Sequence, residues 1–254
     1  MNRKLPFLLP MMAFVVLLVV LQSSVNKVAA QQPPGQPPRP NLPPIPIKGD
    51  TTHSLSKHFN LAGSGKKAPG AKGFIQRWLV LEPVRKDIAR NSIFTENYIR
   101  TTFSTDNFSN DFSTVPKNGD QVKIGNQELK WYALESKTFN FNLFHFTYAL
   151  NKPPYGVLFW LVTVIDSPEE MTNVRMTAGC NSASMWWLNG QEAMMLSGDR
   201  DMIVDNVTSS RLTLKKGKNI IRGAMINGPG MANFCVRFLD EKGLPVKNIS
   251  VSYE

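Results

Sequence analysis

The segment Cys180-Asn181-Ser182-Ala183-Ser184-Met185-Trp186-Trp187-Leu188-Asn189-Gly190 sets two indole rings among side-chain amides. Flat apolar rings stack on the C–H face of a pyranose, and planar amides satisfy its hydroxyls in paired hydrogen bonds. Neighbouring residues of a strand point to opposite faces, so at most one of Trp186 and Trp187 can be in the core, and the other faces outward or lies under a loop. Trp131-Tyr132 repeats the arrangement elsewhere in the chain. The sugar-contact candidates are therefore Trp186, Trp187, Asn189, Asn181, Trp131 and Tyr132. A reading of these rings as packing alone stands beside it, because tryptophan is highly buried on average.

Residues for bond-breaking chemistry are scarcer. The chain holds three histidines, and His53 and His58 fall in a segment rich in Gly and Lys, which leaves His145 within an aromatic run that reads as a strand. No Gly-x-Ser-x-Gly elbow accompanies it, so a core role is expected for His145, and the chain leans away from enzymatic activity. Asp199, Asp201 and Asp205 cluster in one segment. They read first as a solvated loop, second as a site for a hard cation such as Ca²⁺, and last as paired catalytic carboxylates. Cys180 and Cys235 either form a disulfide, which export would permit, or remain two buried thiols. Their separation and the single remaining histidine match no usual zinc spacing.

Stepping outward along the chain, Arg3 and Lys4 precede an apolar run from Leu5 to Leu21, and Val28-Ala29-Ala30 precedes Gln31. That is the pattern of an export signal spanning residues 1–30, with a secreted, periplasmic or cell-surface destination. An uncleaved anchor is the alternative, although the unbroken apolar stretch is shorter than the roughly 20 residues of a spanning helix. Residues 31–48 carry eight prolines and favour an extended tether. Gly63, Gly65 and Gly70 extend the expected linker to residue 72, so the folded domain is expected over 73–254.

The formal charge of +10 first suggests nucleic acid. Residues 1–70, however, hold eight Lys/Arg against one acid, and the remainder holds 21 against 18. The charge sits on the leader and tether, so nucleic acid is excluded as a partner.

From Phe74 onward the apolar residues alternate with period two, in short runs bounded by turn residues, which predicts eight or nine strands and an all-β sandwich. Phe139, Phe141 and Leu143 share one phase, and the shift at Phe144 predicts a bulge inside a strand from Thr138 to Leu150. Asn189-Gly190 predicts a type I′ hairpin. Residues 87–126 read as a loop-rich excursion with at most one short helix.

The series Trp186-Trp187-Leu188-Asn189-Gly190, Leu212-Thr213-Leu214-Lys215-Lys216-Gly217-Lys218-Asn219 and Phe234-Cys235-Val236-Arg237-Phe238 resembles the galactose-binding-like jelly-roll modules that accompany bacterial glycoside hydrolases and acetylxylan esterases. Those modules carry a W-x-N-G hairpin followed by an L-K-x-G-x-N turn, and the similarity covers roughly residues 155–245. Many relatives carry paired acids where this chain has Asn181-Ser182. The resemblance implies a jelly-roll β-sandwich that binds a polysaccharide or oligosaccharide beside a catalytic partner protein. Two other readings remain open: an esterase or glycosidase acting on plant cell-wall glycans such as acetylated xylan, and a structural module that binds another protein.

Overall fold

The computed structural model describes residues 54–254 apart from 62, 89 and 106–111. The expected export signal and the proline-rich tether lie outside the described residues. Fifteen strands follow in chain order: β1 (Phe59–Leu61), β2 (Arg77–Leu81), β3 (Val84–Arg85), β4 (Gln121–Ile124), β5 (Gln127–Ser136), β6 (Phe141–Asn142), β7 (Val157–Ser167), β8 (Met171–Cys180), β9 (Ala183–Leu188), β10 (Gln191–Leu196), β11 (Val207–Thr208), β12 (Leu212–Leu214), β13 (Gly217–Asn227), β14 (Asn233–Leu239) and β15 (Ser250–Ser252). Two helices interrupt them, α1 (Glu96–Thr105) and α2 (Leu143–Ala149), along with 3₁₀ turns at Leu55–Lys57 and Asn91–Ile93.

The strands form two antiparallel sheets, an all-β sandwich as the alternation of apolar residues predicts. The larger runs β1-β5-β2-β7-β13-β9-β10, with β3 and β15 also pairing β7 and β4 pairing β5. The smaller runs β11-β8-β14-β6, with β12 pairing β8. Every residue of β7 is buried except Asp166, because the larger sheet is covered on both faces. One face meets the smaller sheet through Trp78, Phe141, Trp186, Phe234 and Phe238. The other is roofed by α1 and its flanking segments, through Ile99, Phe103, Trp131, Trp160 and Trp187. The excursion between residues 87 and 126 thus closes a second apolar layer.

Two sequence expectations are corrected. The strand expected over Thr138–Leu150 is a strand only at β6, after which the chain turns into α2. Asn142 Oδ1 accepts a hydrogen bond from His145 N at 2.9 Å and caps the helix, while Leu143, Phe146 and Thr147 are buried at helical spacing. The phase shift at Phe144 marks a helix start, and His145 is a helical residue. The folded part also begins well before residue 73. Phe59 is buried and β1 pairs with β5, Lys67 bridges Val251, and Arg77 donates to the carbonyls of Gly63 and Gly65. Gly and Lys gave this stretch the composition of a linker, yet its backbone is held by hydrogen bonds to the sandwich.

Candidate functional site

The expected platform of indoles is not presented to solvent. Trp186 is fully buried between the sheets, where its Nε1 donates to Ser184 Oγ at 2.9 Å and its ring packs against Trp78 and Phe234. Trp187 points the other way, as strand alternation requires, and lies under the roof against Phe112 and Trp160. Trp131 is 1% exposed in the same outer layer. All three indoles are core residues, which corrects their assignment as sugar contacts.

The two amides are likewise engaged in structure. Asn189 adopts φ 50° and Gly190 φ 82°, the positive pair of a type I′ turn. Asn189 Nδ2 donates to Asn219 Oδ1, and Asn189 Oδ1 accepts from Ile220 N, each at 2.9 Å. Asn219 in turn closes the turn between β12 and β13 through Lys215 and Gly217. Asn181 Oδ1 accepts from Asn233 Nδ2 at 3.1 Å, tying β8 to β14.

The aspartates diverge. Asp199 accepts from Asn91 Nδ2, Asp201 is exposed, and Asp205 pairs with Arg237 and accepts from Thr177 Oγ1. Burial alone would raise the Asp205 carboxyl, but the hydrogen bonds from Arg237 and Thr177 outweigh it and hold the group below its usual range. Among the described residues no three His, Cys, Asp or Glu side chains converge, so Asp199, Asp201 and Asp205 do not come together as a cluster of cation ligands. The cysteines are both free thiols. Register explains it: Cys180 pairs with Phe234 across β8 and β14, so Cys235, one residue on, points to the opposite face of the sheet. The disulfide reading is corrected accordingly.

Tyr132 is a sugar-contact candidate that lines a cleft. On β5 its side chain shares a face with Leu134 at the margin of the inter-sheet core, half-buried, with Phe146 of α2 edge-on at 5.7 Å. The cleft measures about 500 Å³ and is lined by Tyr132, Leu55, Leu61, Asn118 and Lys130. Lys130 Nζ stands 5.5 Å from the ring centroid. Tyr132 Oη donates to Glu82 Oε1 at 3.4 Å, and Lys152 Nζ lies 3.7 Å from the other carboxylate oxygen. Burial, followed by the Glu82 charge and hydrogen bond, pushes the phenol up. An aromatic ring, apolar walls, an amide and an ammonium around one concavity can hold a hydroxylated ligand by stacking and hydrogen bonding. Glu82 is the acid beside the ring, and no carboxylate stands among the described residues that line the cleft. Sequence reasoning named Tyr132 but missed Leu55 and Leu61, whose segment read as linker.

A second concavity of about 250 Å³ is lined by Lys57, His58, Lys137, Thr138, Asn142 and His145. There His58 and His145 stack with ring centroids 3.7 Å apart and an interplanar angle of 19°. Both imidazoles are lowered from their ordinary value, first by burial. Lys57 and Lys137 then act on His58, and His58 and Lys57 on His145.

No family model matches the chain, and no curated protein matches it significantly. Among solved structures, the PA14 sugar-binding domain of an RTX adhesin overlaps 68% of this chain and 95% of its own, with 11% identity and a TM-score of 0.36. The PA14 domain of the MpAFP antifreeze protein overlaps 73% of this chain and 95% of its own, with 11% identity and a TM-score of 0.34. The strand pairing described above, and not these overlaps, defines the fold as an antiparallel β-sandwich.

Proposed function

We propose that this chain is a carbohydrate-binding β-sandwich that holds a glycan in the cleft over Tyr132. The observation that carries the reading is the placement of that ring: half-buried, beside an amide and an ammonium, and walled by Leu55 and Leu61. A pyranose laid along Tyr132 would cover its apolar face with C–H groups and turn its hydroxyls toward Asn118 and Lys130.

The finer proposal adds the leader, the tether and the motifs of Trp186 to Asn219. On it, the chain is a secreted accessory module of a polysaccharide-degrading system, similar to the galactose-binding-like modules of glycoside hydrolases, and works beside a catalytic partner without cutting the glycan itself. Incubating the full chain with xylan, mannan and pectin fragments tests both levels. Retention of a glycan with no release of acetate or reducing ends supports the proposal. Turnover of any of these substrates replaces it with an esterase or glycosidase reading.

A further inference from the structure

We propose that the cavity beside the His58–His145 stack is an oxyanion site, which takes a carboxylate, phosphate or sulfate group and holds it more tightly as the imidazole pair gains a proton. The charged groups that face the pair are Lys57, from the 3₁₀ turn, and Lys137, from the loop after β5. β1 contributes Phe59, and β6 and α2 contribute Asn142 and no charge besides His145 itself. Among the described residues no Asp or Glu lines the cavity, so the charged side chains of that lining are cationic.

Donors are available. Lys137 Nζ gives two hydrogens to the carbonyls of Ser56 and Lys57, at 2.5 and 3.5 Å, and an ammonium carries a third. Asn142 spends its Oδ1 on the cap of α2, which leaves the opposite end of the amide, its Nδ2, as a donor. The stack itself separates an anion from a metal ion as the ligand. A metal must lie in the ring plane of each imidazole it binds. Two rings stacked at 3.7 Å and 19° aim their lone pairs side by side and do not converge on one ion. Protonating a stacked pair between two lysines is opposed by like charge, and an anion in the cavity removes that opposition. Anion binding and proton uptake are therefore coupled, and each favours the other.

This site is separate from the Tyr132 cleft, so either proposal survives the failure of the other. The test follows the imidazole Cε1–H resonances of the full chain by NMR, with three histidines to resolve and His58→Gln and His145→Gln for assignment. Sodium phosphate and sodium galacturonate are each titrated against sodium chloride at equal ionic strength, between pH 5.5 and 7.5. The expected result is a saturable shift of His58 and His145, with an apparent Kd that tightens by up to about tenfold per pH unit of acidification for one proton taken up. Tighter binding of galacturonate assigns the site to an acidic sugar, and tighter binding of phosphate to an inorganic oxyanion. The Lys57→Met and Lys137→Met variants should each lose at least tenfold in affinity. The proposal is overturned if neither oxyanion shifts the pair beyond chloride, or if both lysine variants respond as the parent does.

Discussion

Asn189 and Asn219 join the β9–β10 hairpin to the turn between β12 and β13 side chain to side chain, with Asn189 Nδ2 2.9 Å from Asn219 Oδ1. Asn219 is fully buried and also accepts from Lys215 N and donates to the carbonyls of Lys215 and Gly217. The N-G hairpin and the K-x-G-x-N turn are thus two halves of one hydrogen-bonded corner. Asn219→Ala leaves several buried groups unpaired and should cost about 2–3 kcal/mol. Asn189→Ala should cost less, about 1–2 kcal/mol by the same reasoning. The double variant in urea denaturation should fall short of the sum by about 1 kcal/mol, because the two share a bond. Strict additivity would show that the corner is not a coupled unit.

Gly223 lies across from Trp186 in the register of β13 and β9. A Cβ added there would sit 2.4 Å from Trp186 Cζ3, inside the ring's van der Waals surface. Gly223→Ala should destabilise by about 1–3 kcal/mol through overpacking, and Trp186→Ala by about 3–5 kcal/mol through the cavity it leaves. Thermal melts check both. A Trp186→Ala protein as stable as the parent would return that indole to the surface.

The thiols should be inert in the folded chain. Burial pushes Cys180 up to about 12 and Cys235 up to about 11, so neither is a thiolate at neutral pH. Iodoacetamide at pH 8 should leave both unmodified by intact mass, and guanidinium without reductant should expose two titratable thiols. A single disulfide-linked species would contradict the strand register.

Stability should fall as the medium is acidified below about pH 6.5, the ordinary histidine value. His58 and His145 are held lower in the fold, so between their folded values and about 6.5 the unfolded chain binds more protons, and lowering the pH favours unfolding. The loss is complete once the pH passes below the folded values. Asp205, held below the carboxylate range, adds a separate loss only at more acidic pH. Urea midpoints between pH 7.5 and 5 should slope downward in the parent and flatten in the His58→Gln/His145→Gln double variant. An equal slope in both would place the titrating groups elsewhere.

Period-two alternation made the sandwich legible, because β8, β9, β13 and β14 each bury side chains on pleated faces, and Asn189-Gly190 announced its own turn. The fate of the indoles was not legible. Alternation sends Trp186 and Trp187 to opposite faces, but whether the second face meets water depends on α1 and Phe112, distant in sequence, folding over it. α2 was hidden because its aromatic residues favour strands, and only the Asn142 cap and the spacing of Leu143, Phe146 and Thr147 distinguish it. The stretch from residue 54 to 72 has a linker's composition, so β1, Leu61 and His58 were lost with it. Both candidate cavities are walled by that stretch, which is why residue types named Tyr132 but could not show what surrounds it.

The cleft over Tyr132 carries the functional account, and isothermal titration of the full chain with the glycan it retains tests it most directly. Leu61 is 65% exposed, so Leu61→Ala removes one wall with little effect on the fold. Together with Tyr132→Ala, whose folding is checked by circular dichroism, it should weaken binding by at least tenfold in each variant. Unchanged affinity in both folded variants would contradict a glycan site at this ring.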